Sequence, residues 1–158
     1  MTNDSRLVAP GRSRGSRSRP PPGSSARSRR GALRDVTILV VEDDEPSVRL
    51  LKAVLEDERA IVRFARSAEE ALEMVDAEKP EVALIDLILP QMSGLLLADR
   101  LKADPATADI VLIATTAFNG GSTERIVLAA GFVAYVRKPI DPSTFCGIVE
   151  RAARRGKP

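Results

Sequence analysis

Apolar residues between positions 36 and 153 form short blocks, and in the stretches between these blocks they recur every three or four residues, as in a helix. The blocks are rich in Val, Ile and Leu, which is typical of strands, and the uninterrupted ones are typical of strands buried on both faces. Five strands are therefore predicted, at 36–41, 61–64, 82–87, 110–115 and 133–136.

The segments between these blocks carry helix signals. Pro46 stands where a first helical turn tolerates proline, and Ser67 with Glu70 forms an S-x-x-E capping box. Gly131 is a typical helix terminator, and Asp141 is a typical cap for the last helix. Five strands alternating with five helices at short connections predict an α/β fold, with a parallel sheet covered by helices on both faces.

Charge divides the chain into two unequal parts. Residues 1–34 contain nine Arg and one acid, whereas residues 35–158 contain 15 Lys and Arg against 21 Asp and Glu. The first part is Arg/Ser/Pro-rich and nearly free of apolar residues, so we predict a disordered basic tail over 1–34 and one folded domain over 35–158. No apolar run approaches the ~18 residues of a membrane span, and we expect a soluble, cytoplasmic protein without membrane contact.

The side chains able to do chemistry are predicted to lie where strands end. One cysteine and no histidine exclude a disulfide framework and histidine-based nucleophilic catalysis. In an open α/β sheet, groups at the carboxyl ends of the strands share one rim. The residues concerned are Glu42, Asp43, Asp44, Asp86, Thr116 and Lys138. Crowded carboxylates without His or Cys favour Mg²⁺, or Mn²⁺, over zinc, and a carboxylate beside such a cation and a lysine suits phosphoryl transfer.

Four stretches of sequence together resemble the receiver domain of bacterial response regulators, over about residues 35–155. They are VVEDD at 40–44, IDLILPQMSG at 85–94, TA at 116–117 and YVRKP at 135–139. The resemblance implies a flavodoxin-like, doubly wound (βα)5 fold with strand order 2-1-3-4-5. Ser93 departs from the Asp that the family often has at that position, and Asp44 adds an acid that we expect at the helix start or in solvent.

The same resemblance implies a role for each rim residue. Asp86 is expected to be the phosphoacceptor, Asp43 a direct Mg²⁺ ligand and Glu42 a water-mediated one. The remaining expected roles belong to the backbone carbonyl of Ile88 as a metal ligand, to Thr116 and Tyr135 as the switch pair, and to Lys138 as the phosphate contact. Cys146 is predicted to be a small buried residue without a role.

A receiver of this kind is a signalling domain of a two-component system or phosphorelay rather than an enzyme. The expected donor is a sensor histidine kinase or a phosphotransfer protein. The expected output is docking of a downstream protein on the face formed by the fourth helix, the fifth strand and the fifth helix.

Two other functions compete with this interpretation. A phosphohydrolase of the haloacid-dehalogenase type also places an Asp after an apolar strand, but it requires a second Asp where this chain has Ile88. The arginine tail alternatively suggests nucleic-acid binding, with a log affinity that falls against log salt at a slope near −8. From sequence we favour a tail without a partner, an unstructured extension or translation from an upstream start codon. Each rim residue taken alone would be an ordinary cap or surface group.

Overall fold

The structure is a computed structural model that describes residues 30–118 and 120–157. Strands and helices alternate strictly along this part of the chain. They are β1 (Thr37–Val41), α1 (Glu45–Asp57), β2 (Ile61–Ala65), α2 (Ala68–Ala77), β3 (Val82–Asp86), α3 (Gly94–Ala103), β4 (Val111–Thr116), α4 (Thr123–Ala129), β5 (Ala134–Arg137) and α5 (Pro142–Arg155).

The five strands form one parallel sheet with the order β2-β1-β3-β4-β5. In the register, Val41 lies beside Ile85, and Asp86 lies beside Thr115. Every strand therefore points its carboxyl end toward the same edge of the sheet. The predicted (βα)5 fold and its 2-1-3-4-5 order are confirmed.

Helices cover both faces of the sheet, and each face has its own apolar core. On one face, alternate strand residues such as Leu39, Ile85 and Leu112 pack against α2, α3 and α4. On the other face, neighbours such as Val40 and Leu84 pack against α1 and α5. Burial on both sides explains why the sequence of the central strands is almost continuously apolar.

Polar side chains start four of the helices. Asp44, Ser67, Ser93 and Asp141 each accept a hydrogen bond from a backbone N–H in the first turn. The predicted capping box is only half formed, because the Glu70 carboxylate accepts the N–H of the residue before Ser67 instead of that of Ser67 itself. Among the helices within residues 30–118 and 120–157, none is long and apolar enough to cross a bilayer.

The first described residues form a turn that packs against one of the two apolar cores. Leu33 is only 1% exposed and belongs to the core that α1 and α5 cover. Residues 31–34, which the sequence analysis placed in the tail, thus contact the domain. The predicted disorder of the tail otherwise falls on residues 1–29, outside the described residues.

Strand ends differ from the predicted ones by about one residue. The strand predicted to start at Val36 starts at Thr37, because the Val36 N–H donates to the Leu33 carbonyl in the preceding turn. The strand predicted over 110–115 runs over Val111–Thr116, which places Thr116 inside β4 as its last residue. The apolar pattern records burial, whereas strand ends are set by backbone hydrogen bonds.

Candidate functional site

The predicted rim residues meet at the carboxyl edge of the sheet. Asp86 and Thr116 are the last residues of β3 and β4, whereas Glu42 and Asp43 directly follow β1 and Lys138 directly follows β5. Because the strands are parallel, residues up to 96 positions apart in sequence share this edge. The structure therefore brings together the acids and the lysine that the sequence analysis selected.

Asp86 is held by partners on both of its carboxylate oxygens. Oδ1 accepts the N–H of Ile88 at 2.9 Å, and Oδ2 accepts the Lys138 ammonium at 2.8 Å. The carboxylate is nearly buried, with 6% of the residue exposed. Its orientation is thus fixed by one backbone group and one cation.

Gly94 allows the chain after β3 to fold back closely behind Asp86. Its N–H donates to the Leu87 carbonyl at 3.1 Å, and a β-carbon added to it would lie 2.2 Å from the Asp86 carbonyl oxygen. Any other residue would collide with the backbone there. The sequence does not reveal this close approach, since an isolated Gly carries no sign of what it approaches.

Lys138 lies between two buried acids. Its Nζ is 2.8 Å from Asp86 Oδ2 and also 2.8 Å from Glu42 Oε2. The Glu42 contact is close but lies outside hydrogen-bonding alignment, so Oε2 has an ion pair and no hydrogen bond from a described residue. The other Glu42 oxygen accepts the N–H of Asp44 at 3.1 Å.

Two opposed effects set the pKa values of Glu42 and Lys138, namely the burial of each group and the attraction between opposite charges. Burial raises the pKa of Glu42, and the Asp86 charge adds to this, while contacts with Lys138 and the Asp44 N–H offset only part of the effect. Burial alone would lower the pKa of Lys138, but its contacts with the Asp86 and Glu42 carboxylates outweigh burial and raise that pKa. The lysine is therefore a firmly charged cation at neutral pH.

Three carboxylates at this edge could also hold a metal ion. One oxygen each from Glu42, Asp43 and Asp86 lie within 4.8 Å of one another. Oxygen donors alone suit a hard divalent cation such as Mg²⁺. The acidic cluster thus fits the cation that the sequence analysis predicted. The Ile88 carbonyl as a further ligand stays a prediction.

Asp44 and Ser93, the two departures from the family pattern, serve the helices. Asp44 Oδ2 accepts both the N–H and the hydroxyl of Ser47 at the start of α1, and these bonds lower the Asp44 pKa. Ser93 accepts the N–H of Leu96 at the start of α3. The expectation that Asp44 lies at the helix start is confirmed.

Thr116 and Tyr135 lie on the same face of the sheet. Thr116 is fully buried, and its hydroxyl oxygen accepts the N–H of Phe118 at 3.0 Å. Tyr135 pairs in register with Ala114, two residues before Thr116, and is half-buried against the core under α4. Within the described residues, no hydrogen bond joins the two side chains. Their role as a switch pair stays a prediction.

An apolar groove beside Thr116 was not foreseen from the sequence. Phe118, which is 53% exposed, lines it together with Leu87, Leu95 and Ile126, and its volume is about 330 Å³. The sequence signal that could have indicated this groove is Phe118, a large apolar residue in the loop directly after Thr116. The groove gives the loop that follows β4 an apolar surface.

Comparison with known proteins agrees with this geometry. The family model described as "Response regulator receiver domain" matches residues 38–150. The polar-differentiation response regulator DivK of Brucella ovis is 33% identical over 109 residues, covering 69% of this chain and 89% of DivK. The response regulator PleD of Caulobacter vibrioides is 38% identical over 104 residues, 66% of this chain but only 23% of PleD.

A solved structure supports the fold in the same way. The CheY-like response regulator receiver domain protein of Methanospirillum hungatei superimposes with a TM-score of 0.71 at 27% identity. The alignment covers 77% of this chain and 96% of that one.

Proposed function

The chain belongs to the response regulator receiver domain family, and from that premise we propose that Asp86 accepts a phosphoryl group from a phosphohistidine. The donor would be a sensor histidine kinase or a phosphotransfer protein in the cytoplasm. Receiver domains are signalling domains, so the product of the reaction is a modified protein surface. The observation that carries the proposal is the buried Asp86 carboxylate, held 2.8 Å from a lysine ammonium within a cluster of acids.

In the proposed reaction, an Asp86 oxygen attacks the phosphorus in line with the bond to the donor nitrogen. The O–P bond forms as the N–P bond breaks, and the imidazole leaves with the electron pair of that bond. The Ile88 N–H holds the carboxylate in position, so little reorganisation is needed. The Lys138 ammonium lies within reach of the negative charge that remains on the transferred phosphoryl oxygens.

Glu42, Asp43 and Asp86 would hold Mg²⁺, with Mn²⁺ as a substitute and the Ile88 carbonyl as a proposed further ligand. The bound ion would supply neutralisation of the charge on the phosphoryl oxygens. The protein's own contribution is to keep three acids and one lysine together without mutual repulsion driving them apart.

The acyl phosphate would then shift a conformational equilibrium. A Thr116 hydroxyl that accepts from the Phe118 N–H still has its own hydrogen to donate to a phosphoryl oxygen. Moving Thr116 toward the phosphoryl group would draw the loop after β4 with it and open space for Tyr135 on the same sheet face. We propose that this changes the surface formed by α4, β5 and α5, to the extent that the phosphoryl group contacts the two states differently.

The test is incorporation of label from a small phosphodonor or a histidine kinase, with and without Mg²⁺. We expect the Asp86→Asn variant to lose the label, and the wild type to require the divalent cation. Asp44→Asn is a matched control, because it removes a neighbouring acid charge while Asn caps a helix as well as Asp. Label retained by Asp86→Asn, or lost equally by Asp44→Asn, would refute the assignment.

A further inference from the structure

A groove lies along the outer strand of the sheet, between two helices. β5 is an edge strand, and α4 and α5 pack beside it on opposite faces of the sheet. The groove has a volume of about 280 Å³, and its apolar wall includes Leu128 of α4, Val133 directly before β5 and Ile148 of α5. Leu128 is 50% exposed and Val133 is 36% exposed, so the groove contains apolar surface that no described residue covers.

Two arginines and one acid complete the lining of this groove. Arg151 and Arg155 lie one turn apart on α5, and Glu124 lies on α4. Both arginines are exposed, and neither forms an ion pair with any residue that the structure describes. Arg154, next to them in sequence, is instead paired with Glu150. The two guanidinium groups in the groove are therefore available to an anion from outside the domain.

The charge of the domain is divided between this region and the rest. Residues 123–157 contain seven Lys and Arg against three acids, whereas residues 35–122 contain eight Lys and Arg against 18 acids. The part that forms α4, β5 and α5 thus has a net charge of +4, and the rest has a net charge of −10. The exposed cations of this part are Arg125, Arg137, Arg151, Arg154, Arg155 and Lys157. A cationic surface on an otherwise acidic domain attracts and orients an anionic partner.

We propose that this groove binds an acidic, amphipathic helix of a downstream protein. Apolar side chains three or four residues apart on that helix would enter the groove against Leu128 and Val133. Carboxylates beside them would pair with Arg151 and Arg155. The inference rests on the proposed function, because α4, β5 and α5 form the surface that phosphorylation is proposed to change. It adds the charge and the shape of the partner.

Other occupants fit the groove less well. A second copy that placed the same face against this one would bring two net positive surfaces together. A nucleic-acid backbone would contact the arginines and leave the apolar surface of Leu128 and Val133 in water. A lipid bilayer presents a broad surface to an apolar helix face, whereas the apolar side chains here line a groove between two helices.

The experiment is a selection from a random library of peptides of about 15 residues, roughly four helical turns, on the full chain. We expect the selected peptides to be acidic, with apolar residues three or four positions apart. Arg151→Glu/Arg155→Glu should weaken their binding about tenfold in anisotropy titrations, because two attractive pairs become repulsive. Exchanging the acids of a selected peptide for Lys should restore binding to this variant and abolish binding to the wild type.

Matched variants separate the groove from general charge effects. Lys52→Glu/Arg100→Glu changes the net charge equally through exposed cations on α1 and α3, and should alter binding less than about twofold. Leu128→Ala should weaken binding about fivefold, whereas Leu96→Ala, at an exposed position on α3, should not. The effect of the groove variant should persist when the arginines of residues 1–29 are replaced by Gln, which excludes attraction of the peptides to that segment.

Several outcomes would overturn the proposal. Selected peptides that are neutral or basic would do so, as would equal effects of the two charge-reversal double variants. Selection of no acidic peptide would also refute it, and loss of dimerisation, of duplex DNA binding or of phosphatidylserine vesicle binding in Arg151→Glu/Arg155→Glu would then assign the groove to that occupant.

Failure of the proposed function gives a different result. Acidic peptides that require Arg151 and Arg155 but bind equally before and after treatment with a phosphodonor would support the groove assignment and refute its coupling to Asp86. Uptake of label at Asp86 without selection of acidic peptides would refute only the groove assignment.

Discussion

Replacing Lys138 by Met should leave the buried carboxylates of Glu42 and Asp86 without the cation that they share. The Lys138 ammonium is 2.8 Å from both Glu42 Oε2 and Asp86 Oδ2, and its side chain is 21% exposed. At an effective dielectric near 20, each contact corresponds to about 6 kcal/mol of Coulomb attraction, most of which desolvation offsets. Breaking a buried pair by removing one partner typically costs about 3–5 kcal/mol. We expect a loss of that size in the free energy of unfolding at pH 7.5.

The loss should depend on pH in a defined direction. Without Lys138, the pKa of Glu42, already raised by burial, should rise further. A carboxyl whose pKa is higher in the folded than in the unfolded state gives stability that is present at low pH and is lost as pH rises through the folded pKa. The deficit of Lys138→Met should therefore be largest near pH 7–8 and shrink toward pH 5. Wild-type Lys138, whose pKa is raised, should keep its contribution until pH rises above its ordinary value near 10.5.

Urea unfolding of both proteins at several pH values measures the deficit. Lys52→Met is the control, because this exposed lysine lies on α1 outside the acidic site, and we expect a change within about 0.5 kcal/mol. Added Mg²⁺ should stabilise Lys138→Met more than the wild type, since the ammonium no longer neutralises the Glu42 and Asp86 carboxylates; each tenfold gain in affinity adds about 1.4 kcal/mol. A deficit below about 1 kcal/mol, or one equal at all pH values, would refute the reasoning.

Three further substitutions or measurements probe other parts of the molecule. Gly94→Ala should cost about 1–3 kcal/mol in urea unfolding and lower phosphoryl labelling, because its β-carbon collides with the Asp86 carbonyl; unchanged stability would contradict the close approach. Glu58→Ala should lower the free energy of unfolding by about 1–3 kcal/mol, because the N–H groups of Gly31 and Ala32 lose their acceptor. The exposed Glu56→Ala should cost little, and equal effects of the two substitutions would contradict a role of Glu58 in holding the N-terminal segment. The Cys146 thiol, whose pKa burial raises to about 11, should be roughly one part in a thousand thiolate at pH 8 and should react with a maleimide far more slowly than in the unfolded chain.

The sequence predicted the fold and the acidic site for one physical reason. Lys138 and Asp86 are 52 residues apart, yet each directly follows or ends an apolar block, and parallel strands align all such positions at one edge. The strand pattern and the residue chemistry were therefore sufficient to place them together. The ion pairs themselves depend on side-chain packing, which no local pattern records.

Sequence patterns do not predict long-range contacts of single residues that belong to no motif. Glu58 looks like a surface acid at the end of a helix, but it is buried and accepts N–H groups from residues 26 and 27 positions earlier. Leu33 is one apolar residue at the end of a low-complexity stretch, and composition assigned it to the tail. Composition averages over a window, whereas a single buried side chain such as Leu33 is enough to fix where a domain begins.

The helix α1 connects the two edges of the sheet. Asp44 caps its first turn beside the acidic site, and Glu58, directly after its last turn, accepts the N–H groups of Gly31 and Ala32 at the opposite edge. A strand of five residues places these edges about 17 Å apart. Direct contact between them is therefore excluded, and any influence of a charge added at Asp86 on the N-terminal segment would have to pass through packed elements, with α1 as the element that reaches both.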